Sequence, residues 1–141
     1  MKNIKALSVI CTMLFLISIV ASFFGFLNQG NGFLKLILIV VSLIYLFSGW
    51  YFLKGYYPEG HPLVLFLMGY LYAGVFMAFA FVTAMWPLDK SMLAAAIAWS
   101  LIQMAMVTVV RKKIPREGFI QMLIESGIML IMVLSAFIHL Y

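Results

Sequence analysis

Residues 33–53 read FLKLILIVVSLIYLFSGWYFL and contain a single charged side chain, Lys35. A helix rises about 1.5 Å per residue, so this stretch is long enough to cross the roughly 30 Å of hydrocarbon in a bilayer. Turn-forming residues flank it, with NQGNG at 28–32 and KGYYPEGHP at 54–62. Clusters of this kind interrupt helices. The stretch therefore predicts a transmembrane helix that is bounded by two turns.

The same alternation of apolar stretches and turns continues along the whole chain. The predicted helices cover residues 4–27, 33–53, 62–86, 91–110 and 119–141. Pro62 suits the first turn of the third helix, where a missing N–H costs nothing. The first stretch is longer than the roughly 7–15 apolar residues of a signal peptide, so we interpret it as a retained helix. The sequence predicts an all-α fold: one transmembrane domain over residues 1–141, built as a bundle of five helices.

The composition agrees with a polytopic membrane protein. Of the 141 residues, 67% are hydrophobic and 9% are charged, and the mean hydropathy is +1.18. A soluble domain is nearer half apolar and a quarter charged, so a water-soluble monomer is excluded. The loops are too short to hold a separate soluble active site. Any function is therefore expected within the membrane, at its faces, or through a partner.

Positive charges are distributed unevenly between the two sides of the predicted bundle. Seven of the nine Lys and Arg side chains fall at the N-terminus and in the second and fourth loops. Because such residues are enriched in cytoplasmic loops, we expect a cytoplasmic N-terminus and an external C-terminus, in a bacterial inner membrane. The positive charge also favours contact with anionic lipids of the bilayer. No interleaved basic and aromatic surface indicates nucleic-acid binding.

Polar side chains inside the predicted helices lie at similar depths. Glu125 is the one carboxylate within a predicted span, and Gln103 on the neighbouring helix lies at nearly the same depth, about 10 Å inside the boundary. An intramembrane carboxylate is costly unless it is paired, so we predict a hydrogen bond from Gln103 to Glu125. The same depth arithmetic completes a polar layer in the inner half of the bundle. Its predicted members are Glu125, Gln103, Tyr45, Tyr70 and Thr12, with Trp99 one turn from Gln103.

Two interpretations of this layer remain open. In the first, the layer lines a cavity that binds a small ligand or passes a proton, and Glu125 is the group that titrates or binds a cation. In the second, each polar group only ties two helices together with a hydrogen bond worth about 0.6–2 kcal/mol.

Aromatic residues at the cytoplasmic edge, Trp50, Tyr51, Tyr56 and Tyr57, predict interfacial anchors.

Catalytic and metal-binding patterns are absent from the sequence. Glu125 and His139 lie about 21 Å apart along one helix at about 1.5 Å per residue, so they cannot act together within one chain. No G-x-S-x-G or H-E-x-x-H run is present. We therefore expect no enzyme activity, no cofactor and no metal site.

Small residues at four-residue spacing predict close helix packing, either within the chain or between subunits. Examples are Gly69 with Ala73 and Ala94 with Ala98. The leading hypothesis is a non-enzymatic subunit of a homo-oligomeric or hetero-oligomeric membrane assembly. One alternative is a carrier or channel for a small solute, proton or ion that uses Glu125. The other is a binding protein for a lipophilic ligand, held by Tyr45, Tyr70 and Trp99.

Overall fold

The computed structural model describes residues 2–30, 32–57 and 59–140. Within these ranges the chain forms five long helices, each long and apolar enough to cross a membrane. They are α1 (Lys2–Leu27), α2 (Gly32–Phe52), α3 (Pro62–Ala84), α4 (Asp89–Val109) and α5 (Arg116–Leu140), with one 3-10 turn at Leu53–Gly55. The predicted all-helical class and the five helices are confirmed. The predicted end of the last helix, Tyr141, lies outside the described residues.

The ends of α3 show how local chemistry sets the bounds of a helix. The His61 Nδ1 atom accepts a hydrogen bond from the Leu63 N–H at 3.1 Å, and Pro62 occupies the first helical position as predicted. At the other end, Met85 adopts a left-handed backbone with φ of 54°. Its N–H donates to the Val82 carbonyl oxygen at 3.1 Å. This conformation stops the helix at Ala84, two residues before the predicted end.

Helix α3 occupies the centre of the bundle. Over an 18-residue apolar stretch of α3, 61% of the residues are buried, against 28–33% over the corresponding stretches of the other four helices. It packs against α1, α2 and α4, while α5 packs mainly on α4. Helices long and apolar enough to cross a membrane associate there through close packing, since lipid removes the hydrophobic drive between them.

Small residues on α3 provide that close packing. A Cβ atom on Gly49 of α2 would lie 3.0 Å from the Cα of Gly69, so the two backbones meet at this crossing. A Cβ on Gly74 would lie 2.7 Å from the Trp99 ring of α4. Gly69 and Gly74 of α3 therefore pack against other helices of the same chain. By contrast, Ala94 and Ala98 of α4 are exposed.

The turn after α2 is fixed between the starts of α1 and α5. A Cβ on Gly55 would lie 2.7 Å from both the Leu7 carbonyl carbon and the Ser8 Cα, and one on Gly118 would lie 2.9 Å from the Tyr56 carbonyl carbon. Glycine is needed at both places because backbone stands in the way of any side chain. This contact turns the segment inward.

Two of the predicted interfacial anchors are therefore wrong. Tyr56 and Tyr57 are only 2% and 4% exposed, because the turn carries them into the bundle rather than along its rim. Tyr51 is 48% exposed. Trp50 keeps an edge position, with the Lys54 Nζ 4.9 Å from its ring centroid.

Candidate functional site

Glu125 lies on the buried face of α5 and is 1% exposed. Met122, Ser126 and Met129 share this face at helical spacing, and none of the three is exposed. Among the described residues, Glu125 is the one acidic or basic side chain that is buried. A carboxylate in such surroundings needs hydrogen-bond donors to offset the loss of water.

Donors from two helices and one turn surround the carboxylate. The Tyr72 hydroxyl of α3 donates to Oε1 at 3.3 Å. The Gln121 Nε2, one turn earlier on α5, donates to Oε2 at 3.1 Å. The Tyr56 hydroxyl faces the same carboxyl from the turn after α2. Hydrogen bonds donated to a carboxylate favour its ionised form, and those from Tyr72 and Gln121 are longer than the short charge-assisted bonds of tightly held carboxylates.

Tyr56 connects the carboxylate to α1. Its hydroxyl lies 2.7 Å from the Thr12 Oγ1, which also donates to the Ser8 carbonyl oxygen at 2.9 Å. The Tyr56 N–H donates to the Leu53 carbonyl oxygen at 3.0 Å and so holds the turn. Burial, reinforced by the nearby Glu125 carboxyl, raises the pKa of the Tyr56 hydroxyl above its usual range. The phenol is therefore neutral, and it can donate or accept a hydrogen bond.

A polar cavity of about 310 Å³, here called the vestibule, lies between the starts of α1 and α5 and borders this network. Its lining includes Lys5, Ser8, Thr12, Tyr56, Glu117 and Gln121. Lys5 and Glu117 are exposed at its mouth. Tyr56 and Gln121 belong to both the vestibule and the network, so one layer of side chains separates Glu125 from the cavity.

The predicted bond between Gln103 and Glu125 is wrong. Gln103 is fully buried on α4, as its depth suggested. Neither its Oε1 nor its Nε2 has a hydrogen-bond partner among the described residues. The carboxylate is instead paired by Tyr72 and Gln121, because α3 lies at the centre of the bundle and Gln121 lies one turn away on the same helix.

The predicted place of Tyr70 in the layer is also wrong. Tyr70 is 45% exposed and contacts the Trp99 ring edge-on, with centroids 6.3 Å apart. Tyr72, two residues further on, takes its place. Successive residues turn by about 100° on a helix, so Tyr70 and Tyr72 point to nearly opposite sides.

Tyr45 and Thr12 do lie in the layer. Tyr45 is fully buried and stacks on the Tyr72 ring at a centroid distance of 5.1 Å and an interplanar angle of 12°. Its hydroxyl makes no hydrogen bond with any described residue. Thr12 reaches the layer only through Tyr56.

Tyr56 and Tyr72 are the site residues that the sequence analysis missed. Tyr72 had only an ambiguous signal, because it lies ten residues into α3 and Tyr70 lies eight, so both match the depth of Glu125, nine residues into α5. Tyr56 had none, because a turn residue beside a span is normally an interfacial anchor.

The three residues proposed to hold a lipophilic ligand do not come together. Tyr45 packs inside the bundle, whereas Tyr70 and Trp99 meet at its periphery. An apolar cavity of about 480 Å³ lies elsewhere, between α1 and α5. Phe23, Phe26, Ile128 and Met132 contribute to its wall.

Within the ranges that the structure describes, no group of three or more His, Cys, Asp or Glu side chains is placed to hold a metal ion. Glu125, its hydrogen-bond donors and the vestibule form the candidate site. No protein-family model, no curated protein and no solved structure matches this chain.

Proposed function

We propose that the chain spans the bilayer and conducts or carries protons, with Glu125 as the group that binds them. The main support is the position of this carboxyl, buried at 1% exposure in an apolar bundle yet one layer below a polar vestibule. An intramembrane carboxylate is expensive to keep, and such residues commonly mark ion or proton pathways.

The partners of Glu125 favour a proton over a metal cation. A hard cation is held by several oxygen atoms, whereas Gln121 presents its Nε2 to the carboxylate. Tyr72 likewise directs a hydroxyl proton at it. A shell of donors satisfies a bare carboxylate but leaves few oxygen atoms for a cation.

The same partners accommodate both protonation states. The Tyr56 hydroxyl has a single proton and two neighbours, Thr12 and Glu125. It can accept from the carboxylic acid and donate to Thr12, or it can donate to the carboxylate while the Thr12 hydroxyl turns from the Ser8 carbonyl oxygen and donates to Tyr56. Both protonation states therefore keep Tyr56 hydrogen-bonded to its two neighbours, and only the Thr12–Ser8 bond is exchanged.

Glu125 is also the group best suited to change its charge. The other titratable side chains close to it are Cys11, Tyr45, Tyr56 and Tyr72. Thiols and phenols release protons less readily than carboxylic acids do. The proton is therefore gained and lost at the carboxyl, and the hydroxyls act as its neighbours.

Purified protein in liposomes that contain a pH-sensitive dye tests this proposal. After an external acid pulse, with the membrane potential clamped by K⁺ and valinomycin, the interior should acidify faster than in protein-free liposomes. A sodium gradient across the same vesicles should not decay faster than it does without protein. Acidification at the protein-free rate would overturn the proposal, and so would sodium flux without proton flux.

A role as a subunit of an assembly is the second candidate, supported by the exposed small pair on α4. Ala94 and Ala98 are one turn apart, and both face away from the bundle, so a second helix can approach closely there. In native membranes treated with a mild thiol oxidant, Ala98→Cys should yield a disulfide-linked dimer, whereas Ile131→Cys, on the exposed face of α5, should not. Cys11 is fully buried and does not compete. Equal cross-linking of the two variants would count against this interface.

A further inference from the structure

Beyond Phe15, the buried face of α1 becomes polar. Ser18 and Ser22 follow on this face, and neither is exposed. One turn further, Gly25 lies against Thr83 of α3, where a Cβ atom would be 3.3 Å from the Thr83 Cγ2. Thr83 is also fully buried. A line of hydroxyls thus follows α1 through the half of the bundle that lies away from the vestibule.

Two hydroxyls in this region have no hydrogen-bond partner among the described residues, namely those of Ser22 and Tyr45. An unpaired buried hydroxyl typically costs about 1–3 kcal/mol. The Ser18 hydroxyl donates to the Leu14 carbonyl oxygen at 2.6 Å, and it keeps lone pairs that can accept. The Tyr45 hydroxyl faces Ser18. The hydroxyls of Ser22, Tyr45 and Ser18 can therefore make further hydrogen bonds.

The line starts at the carboxylate network and ends near the opposite end of the bundle. Tyr45 stacks on Tyr72, which donates to Glu125. At the far end, the Thr83 carbonyl oxygen accepts from the Gly30 N–H at 2.6 Å, in the turn between α1 and α2. We call Tyr45, Ser18, Ser22 and Thr83 the hydroxyl row.

We propose that the hydroxyl row carries protons between Glu125 and the membrane face opposite the vestibule. The inference rests on the proposed function and adds the second half of the path. Each hydroxyl accepts a proton on an oxygen lone pair and passes its own proton to the next oxygen. One proton enters the row for each that leaves it, and every hydroxyl is neutral again afterwards. In this proposal, water molecules lie between hydroxyls that do not touch directly, since a bridging water is nearly as good as a direct hydrogen bond.

A comparison of Ser22→Ala with Ser100→Ala tests the row. Both serines are fully buried, and both hydroxyls are unpartnered, but Ser100 lies on α4, outside the row. In liposomes, Ser22→Ala should reduce proton flux at least about tenfold, because a methyl group cannot form the hydrogen bond that stabilises the proton as it passes this position. Ser100→Ala should retain the wild-type flux. Tyr45→Phe keeps the ring stack and should lower flux as Ser22→Ala does.

The outcomes separate this inference from the proposed function. If wild-type protein conducts no protons, the proposed function fails. If wild-type protein conducts and Ser22→Ala and Tyr45→Phe conduct equally well, only the hydroxyl row is overturned. Size-exclusion profiles and helix content, measured by circular dichroism, should be the same for all four proteins, since neither serine hydroxyl contributes a side-chain hydrogen bond.

Discussion

Replacing Glu125 with glutamine is expected to abolish proton flux and to leave the bundle folded. Glutamine has nearly the same shape and keeps one oxygen to accept from Tyr72 or Gln121, which now donate to the two carboxylate oxygens. It has no carboxyl proton to gain or lose. Flux in liposomes should therefore fall to the protein-free rate, while the thermal unfolding midpoint in detergent changes little.

Glu59→Gln provides the matched control. Glu59 lies in the turn between α2 and α3, apart from the residues that line the vestibule, and its side chain is exposed. Screening by water and salt limits the influence of an exposed charge. Its removal should leave more than half of the flux. Wild-type flux in Glu125→Gln, or an equal loss in both variants, would exclude Glu125 as the transfer group.

Gly118→Ala is expected to lower the free energy of unfolding strongly. The new Cβ would collide with the Tyr56 carbonyl oxygen and lie 2.9 Å from its carbonyl carbon. Backbone atoms cannot rotate away as a side chain does, so the turn or the start of α5 must shift. We expect a decrease of about 3 kcal/mol in the free energy of unfolding, at the upper end of ordinary overpacking. Denaturant titration in mixed micelles measures it.

Gly127→Ala on the same helix separates the collision from the change in helix propensity. A Cβ at Gly127 would meet no atom within 4 Å, so this variant should be at least as stable as the wild type, because alanine favours a helix by up to about 1 kcal/mol over glycine. Because Tyr56 faces Glu125, Gly118→Ala should also reduce proton flux. Equal unfolding midpoints for the two variants would contradict the close approach at Tyr56.

Helix number could be predicted from the sequence because long apolar stretches alternate with turns, and that signal needs no tertiary information. The depth of Glu125 and Gln103 followed from counting residues along straight helices. Their partners did not follow, because depth says nothing about which way a side chain points. Tyr70 and Tyr72 differ little in depth, and only the central position of α3 decides that Tyr72 faces the carboxylate.

Tyr56 was beyond sequence reasoning for a different reason. Its burial depends on Gly55 and Gly118, which let the backbones of α1 and α5 close on the turn. Either glycine taken alone resembles an ordinary loop residue. Only the folded structure shows that the two glycines together bring Tyr56 next to the Glu125 carboxyl.

The first and last helices of the chain border both cavities. The vestibule lies at one end of their seam, and the apolar cavity lies further along it, towards the end where the Phe26 and His139 rings meet at 5.5 Å. Helices α2, α3 and α4 pack on one another in chain order, and Phe79 of α3 also lines the apolar cavity. Two cavities thus separate the first and last helices along part of their length, and α1 is held mainly by α2, α3 and the turn after α2, while α5 is held mainly by α4.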